Sequence, residues 1–112
     1  MALRYMPILL VHLAGASWAD AETVNVEHRG AVDLKPFACQ DITRSSVVDR
    51  VCYDAAKRVM IVQVKTAYSQ YCDVPAATLD RLLNAPSMGQ YYNASIKGSG
   101  TQARYECRPQ EF

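Results

Sequence analysis

The sequence predicts a small α+β domain, a three-stranded antiparallel β-meander packed by one or two helices and stabilised by disulfides. Three observations lead to this class. Alternating and β-branched segments occupy positions 47–72, apolar residues with helical spacing follow, and the chain contains four cysteines, an even number. The chain has 112 residues, enough for one domain but not two, and its 50% hydrophobic content excludes a disordered protein.

Residues 1–21 have the pattern of a secretory signal peptide. Arg4 supplies a positive charge near the start, Ile8–Ala14 is an apolar run, and small residues follow. We expect cleavage after Ala21, with Ala19 as the alternative. The apolar run is shorter than the roughly 20 residues that a bilayer-spanning helix needs. The sequence therefore predicts an exported bacterial protein, periplasmic or secreted, with no membrane span after cleavage.

The mature chain begins with an extended segment, residues 22–41, in which Thr23–Glu27 alternates in the manner of a strand. Three further segments are predicted to form the meander: Val47–Tyr53, Val59–Val64, which is rich in β-branched residues, and Tyr68–Cys72. Asp54–Lys57 provides the first turn between them. Successive side chains in a strand face opposite sides, so Val51 and Cys52 are expected on different faces of the sheet.

Helical spacing replaces the strand pattern after the third predicted strand. A helix is expected from Pro75, a residue favoured in the first turn, to Asn84. Its core-facing stripe consists of three leucines, Leu79, Leu82 and Leu83. A second short helix is predicted over Met88–Ile96 and ends at Gly98. Residues 99–112 form a tail that we expect to fold back on the domain.

The four cysteines, Cys39, Cys52, Cys72 and Cys107, remain after signal cleavage and predict two disulfides. They form no C-x-x-C pair and their spacings are too wide for a zinc knuckle, so no metal or cofactor is predicted. Three pairings are possible, and we favour Cys39–Cys107 with Cys52–Cys72. Strands one and three of a meander lie about 9.5 Å apart, whereas a disulfide needs Cα atoms within about 7 Å. That pairing therefore requires strand one beside strand three, or cysteines at splayed strand ends.

Several sequence blocks occur in the order found in one small family. They are Ile42–Ser46, Val51–Asp54, Tyr71–Pro75, Ala85–Asn93 (A-P-S-M-G-Q-Y-Y-N) and Ile96–Gly98. Over residues 42–98 the chain resembles the KTSC domain, which is named for its place at the C-terminus of some lysyl-tRNA synthetases and also occurs as a stand-alone bacterial protein. The segment Val32–Cys39 and the pair Cys107-Arg108 resemble the exported, cysteine-containing members.

One position departs from the family pattern. The family has a central Tyr-x-Tyr, and Tyr71 matches its second tyrosine, whereas Ser69 replaces the first. Tyr68 is shifted by one residue, so it is expected on the opposite side of the strand. The function of the family is unknown, and its occurrence beside synthetases implies RNA binding. The loss of one tyrosine able to stack on a base weakens that implication for this chain.

The sequence predicts a non-catalytic protein- or peptide-binding module of the cell envelope. The net charge is +1, and signal cleavage leaves it unchanged because one base, Arg4, and one acid, Asp20, leave together. Acids and bases are interleaved, which excludes a generic phosphate-binding surface. The candidate binding surface combines aromatic, amide and basic side chains: Arg44, Arg50, Tyr71, Tyr91, Tyr92, Asn93 and Lys97.

Two alternatives remain open. The first is a single-stranded RNA-binding domain, in which the candidate tyrosines stack on bases while the candidate cations and Lys65 contact phosphates. The second is a small hydrolytic enzyme using Ser45 or Ser46 with His28 or an aspartate. The chain contains neither a G-x-S-x-G nor an H-E-x-x-H motif. Serines in this context more often form turns, and Asp54 has the position of a turn residue. No catalytic residue is therefore predicted.

Overall fold

The protein was analysed as a computed structural model that describes residues 22–98 and 103–111. The predicted signal peptide and its cleavage positions lie outside the described residues. Within them the chain forms one six-stranded sheet with helices against one face. Its strands, numbered along the chain, are β1 (Thr23–Val26), β2 (Gly30–Asp33), β3 (Ala38–Asp41), β4 (Arg50–Asp54), β5 (Val59–Val64) and β6 (Ala67–Tyr71).

The sheet is mixed, with the order β2-β1-β6-β5-β4-β3. Its centre is the antiparallel series β4–β5–β6, which corresponds to the three predicted strands. The prediction of a three-stranded antiparallel sheet is nevertheless wrong, because residues 22–41 add three strands and β1 runs parallel to β6, with Val26 opposite Tyr68. The added strands have four residues each and are largely exposed. Such short segments carry little alternation by which a sequence could indicate their partners.

The sheet curls strongly. Strands β2 and β3 form its two edges, yet only residues 34–37 connect them along the chain. In a flat six-stranded sheet the edges would be about 24 Å apart, whereas the five steps from Asp33 to Ala38 span at most roughly 18 Å. A bidentate ion pair agrees with this curl, because Arg50 of β4 donates to both carboxylate oxygens of Glu22, beside β1, at 2.6 and 2.8 Å. These hydrogen bonds lower the pKa of Glu22.

The helices follow the sheet in the order that the sequence predicts. Helix α1 covers Ala76–Asn84, with Pro75 immediately before its first turn. The second helical segment begins as α2, Met88–Tyr91, and continues without a break as a π-helix over Tyr92–Lys97. Gly98 ends this segment with a φ of 55°, a left-handed conformation that glycine adopts without steric cost. A short 3-10 turn closes the described tail at Pro109–Glu111.

The two faces of the sheet bury separate apolar clusters. The larger cluster joins the sheet to the helices and contains Val48, Val51, Tyr53, Met60, Val62, Tyr71, Val74, Leu82, Met88, Tyr92 and Ile96. The smaller cluster lies on the opposite face, which the β2–β3 connection covers, and contains Val26, Val32, Leu34, Cys52 and Ile61. Val51 and Cys52 are thus on different faces, as the strand periodicity predicts.

The structure contains two disulfides, which is the predicted number, but the predicted pairing is wrong. Cys39 is bonded to Cys52, and Cys72 is bonded to Cys107. The first pairing follows from the unpredicted strand β3, which places Cys39 directly opposite Cys52 in the register with β4. The second follows from the tail, since Cys72 lies just beyond β6 and donates a backbone hydrogen bond to Tyr105. Strand β5 separates Cys52 from Cys72, the same geometric obstacle that the sequence analysis identified.

Candidate functional site

Two clefts on the helical side of the sheet meet at Val47 and Asn93. The first has a volume of about 360 Å³ and lies between the turn after β3 and helix α2. Its lining residues are Arg44, Ser45, Ser46, Val47, Pro86, Ser87, Met88, Gly89, Gln90 and Asn93. The second, of about 230 Å³, is lined by Glu27, Val47, Val64, Ala67, Ser69, Tyr71, Tyr92, Asn93 and Lys97. We call the two clefts together the helix–sheet groove.

Local hydrogen bonds form the walls of the first cleft. The Ser45 hydroxyl accepts hydrogen bonds from the backbone N–H groups of Val47 and Val48, both at 3.1 Å, and this turns the chain into β4. Across the cleft, the Ser87 hydroxyl accepts the N–H of Gln90 and caps α2. Ser45 therefore has the turn-forming role that its sequence context indicates.

Gly89 allows α2 to approach this turn closely. A Cβ atom at Gly89 would lie 2.7 Å from Cγ2 and 3.0 Å from Cβ of Val47. Both distances are too short for nonbonded carbon atoms, so only glycine fits at this contact without a shift. The glycine of the A-P-S-M-G block thus allows α2 to pack directly against Val47 in the wall of the first cleft.

The π-helix contributes the polar side chains that lie between the clefts. Its wider turn is seen in the hydrogen bond from the N–H of Gly98 to the carbonyl of Asn93, five residues earlier. Asn93 and Lys97 are both exposed and both line the second cleft. The sequence predicts a helix here, but the π conformation has no recognisable pattern because it depends on packing of this turn against the sheet.

Two buried tyrosines form the floor of the second cleft. The hydroxyls of Tyr71 and Tyr92 are 2.6 Å apart, and the rings meet edge to face with centroids separated by 6.0 Å. Burial raises the pKa of Tyr71, and burial together with the hydrogen bond to Tyr71 raises the pKa of Tyr92. Beside them the Ser69 hydroxyl donates to Oε1 of Glu27 at 3.1 Å. The cleft therefore contains neutral phenols at its floor and a carboxylate at its rim.

The structure separates the residues of the predicted binding surface. Tyr71 and Tyr92 are 9% and 4% exposed, so their ring faces are covered by the core. Arg50 is engaged by Glu22 and approaches Asp41, and Arg44 donates to the carbonyl of Leu83 at 2.7 Å. These two arginines connect parts of the fold. Tyr91 lines a different cleft, described below, so only Arg44, Tyr71, Tyr92, Asn93 and Lys97 line the helix–sheet groove.

The groove also contains residues that the sequence analysis did not single out, Glu27, Val47 and Gln90. Glu27 contacts Ser69 across 42 positions of the chain, a separation at which no local pattern carries information. Ser69 was identified only as a departure from the Tyr-x-Tyr pattern. Ser69 lines the second cleft. A tyrosine at position 69 would place its ring in this cleft, whereas the shorter serine leaves the cleft open.

The candidate catalytic residues do not form a nucleophile–base pair in the described structure. His28 lies exposed in the turn after β1, and the hydroxyl of Ser45 is bound as described above. Asp54 accepts hydrogen bonds from the N–H groups of Ala56 and Lys57, at 3.1 and 3.2 Å, and thereby forms the β4–β5 turn. Among residues 22–98 and 103–111, no group of three or more His, Cys, Asp or Glu side chains is arranged to hold a metal ion.

Most of the groove lies in a segment that this chain shares with known proteins. The family model of the KTSC domain matches residues 44–99, which is half of the chain. The chain belongs to the KTSC domain family. A crystal structure of a KTSC domain protein from Yersinia pestis is similar, with a TM-score of 0.52 and 26% identity, covering 56% of this chain and 89% of that one. A search of curated proteins finds no significant match.

The match places most of the groove within the KTSC domain and one part outside it. The first cleft lies wholly within residues 44–99, whereas Glu27 of the second cleft precedes the matched segment, as do β1–β3. The second cleft thus combines KTSC residues with a carboxylate from the N-terminal strands. In the described part of the chain no helix is long and apolar enough to cross a membrane.

Proposed function

We propose that this KTSC domain is an exported, non-catalytic module that binds an extended peptide segment of a partner protein in the helix–sheet groove. The observation that carries the proposal is the pair of side-chain amides on its wall. Gln90 and Asn93 are exposed, and within the described residues neither side chain makes a hydrogen bond. An amide both donates and accepts, which is the combination that a peptide backbone requires of its partner.

The shape and charge of the groove support a peptide as the ligand. The two clefts are neighbours that share Val47 and Asn93 in their linings, and the proposal places an extended chain along both of them. Lys97 and Glu27 lie on the second cleft and carry opposite charges. Opposite charges at one end of a groove determine the direction of a bound chain more than its affinity.

Features of the groove weigh against the two alternatives. Single-stranded RNA binding relies on exposed aromatic faces, and the faces of Tyr71 and Tyr92 are buried. The serine nearest a catalytic role, Ser45, has a hydroxyl bound to two backbone N–H groups. Export is supported by the two disulfides, because such bonds persist mainly in oxidising compartments.

The test is selection of peptides on the oxidised protein from a random phage-displayed library, followed by affinity measurement. Asn93→Ala is expected to weaken the selected peptides by about fivefold to tenfold, the effect of about one lost hydrogen bond. Gln40→Ala is the matched control, because Gln40 is an exposed amide on edge strand β3 and lines none of the described clefts. Equal losses in both variants, or no enrichment, would contradict the proposal.

A parallel binding measurement with labelled single-stranded RNA at about 50 mM salt tests the nucleic-acid alternative, because phosphate contacts are strongest at low salt. RNA binding that is lost in Lys97→Ala, without any peptide enrichment, would replace the peptide proposal by RNA recognition. The location is checked separately by mass spectrometry of the protein recovered from the periplasm, with a new N-terminus expected after residue 21 or 19.

A further inference from the structure

A separate cleft, lined by residues of α1, the second helical segment and the tail, contains two arginines in its lining. It has a volume of about 160 Å³ and is lined by Arg81, Tyr91, Ala94, Ser95, Arg104 and Tyr105. Arg81 and Arg104 are 23 positions apart in the chain and are both exposed. The lining contains two guanidinium groups and three hydroxyls and no acidic side chain.

The tail is fastened so that Arg104 stays beside α1. The Cys72–Cys107 disulfide attaches it to the end of β6, and Cys72 donates a backbone hydrogen bond to Tyr105 at 2.8 Å. The Tyr105 hydroxyl also lies 3.1 Å from the Thr78 hydroxyl of α1. These contacts come from a disulfide, a backbone pair and a side-chain pair, so the position of Arg104 is defined independently of its own charge.

Arg81 and Arg104 differ from Arg50 and Arg108 in having no carboxylate partner among the described residues. Arg50 and Arg108 form ion pairs with carboxylates, whereas Arg81 and Arg104 form none within residues 22–98 and 103–111. Arg81 lies in the last turn of α1, where a positive charge is favourable, but that accounts for one cation only. Placing a second cation at the same cleft adds repulsion, and an anion bound between them would remove it.

We propose that this cleft binds a phosphate-type oxyanion, with Arg81 and Arg104 as charged donors and the Ser95 and Tyr91 hydroxyls as further donors. The volume corresponds to the space of about five water molecules, which accommodates one tetrahedral oxyanion with part of its hydration. Guanidinium groups donate two parallel hydrogen bonds to phosphate oxygens, so two of them form a directional site. The same chemistry is offered by free phosphate and by the phosphate group of a monoester.

The test is an NMR titration of the oxidised full chain, observing the arginine side-chain Nε–H resonances at constant ionic strength. Inorganic phosphate is expected to shift the Arg81 and Arg104 resonances saturably with one common affinity, while chloride does not. Arg104→Gln is expected to weaken phosphate binding about tenfold. Phenyl phosphate forms the second arm: tighter binding than inorganic phosphate indicates a monoester ligand, and equal or weaker binding indicates the free ion.

The matched control is Arg58→Gln, which removes an exposed arginine in the β4–β5 turn that lines none of the described clefts. If Arg58→Gln weakens phosphate binding as much as Arg104→Gln, or if chloride shifts the same resonances, general charge screening explains the effect and the proposal fails. Arg81→Lys provides a second variant, since it keeps the charge but loses the bidentate geometry. It is expected to bind phosphate more weakly than the unchanged protein and more strongly than Arg81→Gln.

Discussion

The tyrosine pair at the floor of the second cleft is a buried polar contact between two elements of the fold. A buried hydroxyl without a partner costs free energy, and here Tyr71 and Tyr92 supply partners to each other across 21 positions of the chain. The pair also connects β6 to the π-helix, so it fixes the position of the helical wall of the groove. The Tyr71–Tyr92 pair thus both stabilises the fold and shapes the candidate site.

Tyr92→Phe is expected to lower the free energy of unfolding by about 1–3 kcal/mol, because the Tyr71 hydroxyl then loses its closest partner. Urea denaturation of the oxidised protein measures this cost. Tyr91→Phe is the matched control, since the Tyr91 side chain is only partly buried and its hydroxyl makes no hydrogen bond among the described residues. A loss no larger than that of Tyr91→Phe would show that the buried pair contributes no net stability.

The raised pKa values of Tyr71 and Tyr92 predict a specific dependence of stability on pH. The ordinary value of a tyrosine is 10.0, and both groups are shifted upward by burial. Above about pH 10 the unfolded chain therefore loses protons that the folded chain retains. Stability is fully present below that pH and falls as the pH rises. Unfolding free energies measured between pH 8 and 11 should fall from about pH 10, and a flat profile would refute this assignment.

At the scale of elements, the contact between α2 and the turn before β4 brings the two walls of the first cleft together. The contact depends on the missing side chain of Gly89 and on the branched side chain of Val47, which has few rotamers with which to move aside. The position of α2 at the first cleft therefore depends on a steric fit between Gly89 and Val47.

Gly89→Ala is expected to destabilise the protein by about 1–2 kcal/mol. Overpacking against Val47 costs about 1–3 kcal/mol, and the better helix propensity of alanine returns at most about 1 kcal/mol. Combining it with Val47→Ala removes the 2.7 Å contact with Cγ2 and leaves only the 3.0 Å contact with Cβ, so in that background Gly89→Ala should cost clearly less. Denaturation of the four proteins of this cycle measures the coupling. Equal effects of Gly89→Ala in both backgrounds would exclude the steric explanation.

At the scale of the whole molecule, the two disulfides fasten the parts that flank the KTSC segment. Cys39–Cys52 joins edge strand β3 to β4, and Cys72–Cys107 joins the tail to β6. The first bond therefore stabilises the curled sheet, and the second holds Arg104 beside α1.

Removing each bond by paired Cys→Ser substitutions is expected to cost different amounts. The bonded cysteines are 13 and 35 positions apart, so loop-closure entropy predicts losses of about 3 and about 4 kcal/mol respectively. Chemical denaturation measures both values. Only the Cys72/Cys107 variant should also weaken phosphate binding at the arginine cleft. A phosphate affinity that is unchanged in this variant, or reduced equally in both, would contradict the role assigned to the tail.

The sequence predicted the features that depend on local patterns. The three central strands, α1 and the second helical segment follow from residue periodicity, and the cysteine count indicated two disulfides. The order of the A-P-S-M-G-Q-Y-Y-N block and the neighbouring blocks was enough to predict the KTSC family correctly. Each of these properties is present in a short stretch of chain, and for that reason it can be read without knowing the fold.

The strand order of the sheet and the residues that meet at each cleft are determined by the tertiary structure alone. Distant parts of the chain are joined by the parallel pairing of β1 with β6, the contact of Glu27 with Ser69 and the cleft that Arg81 and Arg104 both line. The pairing of the N-terminal strands with the sheet places Glu27 beside Ser69 and Cys39 opposite Cys52, whereas the tail brings Cys107 to Cys72 and Arg104 to the cleft beside α1. A linear pattern records which residues are apolar, charged or reactive, whereas the free energy of burying both faces of one curled sheet determines which of them meet.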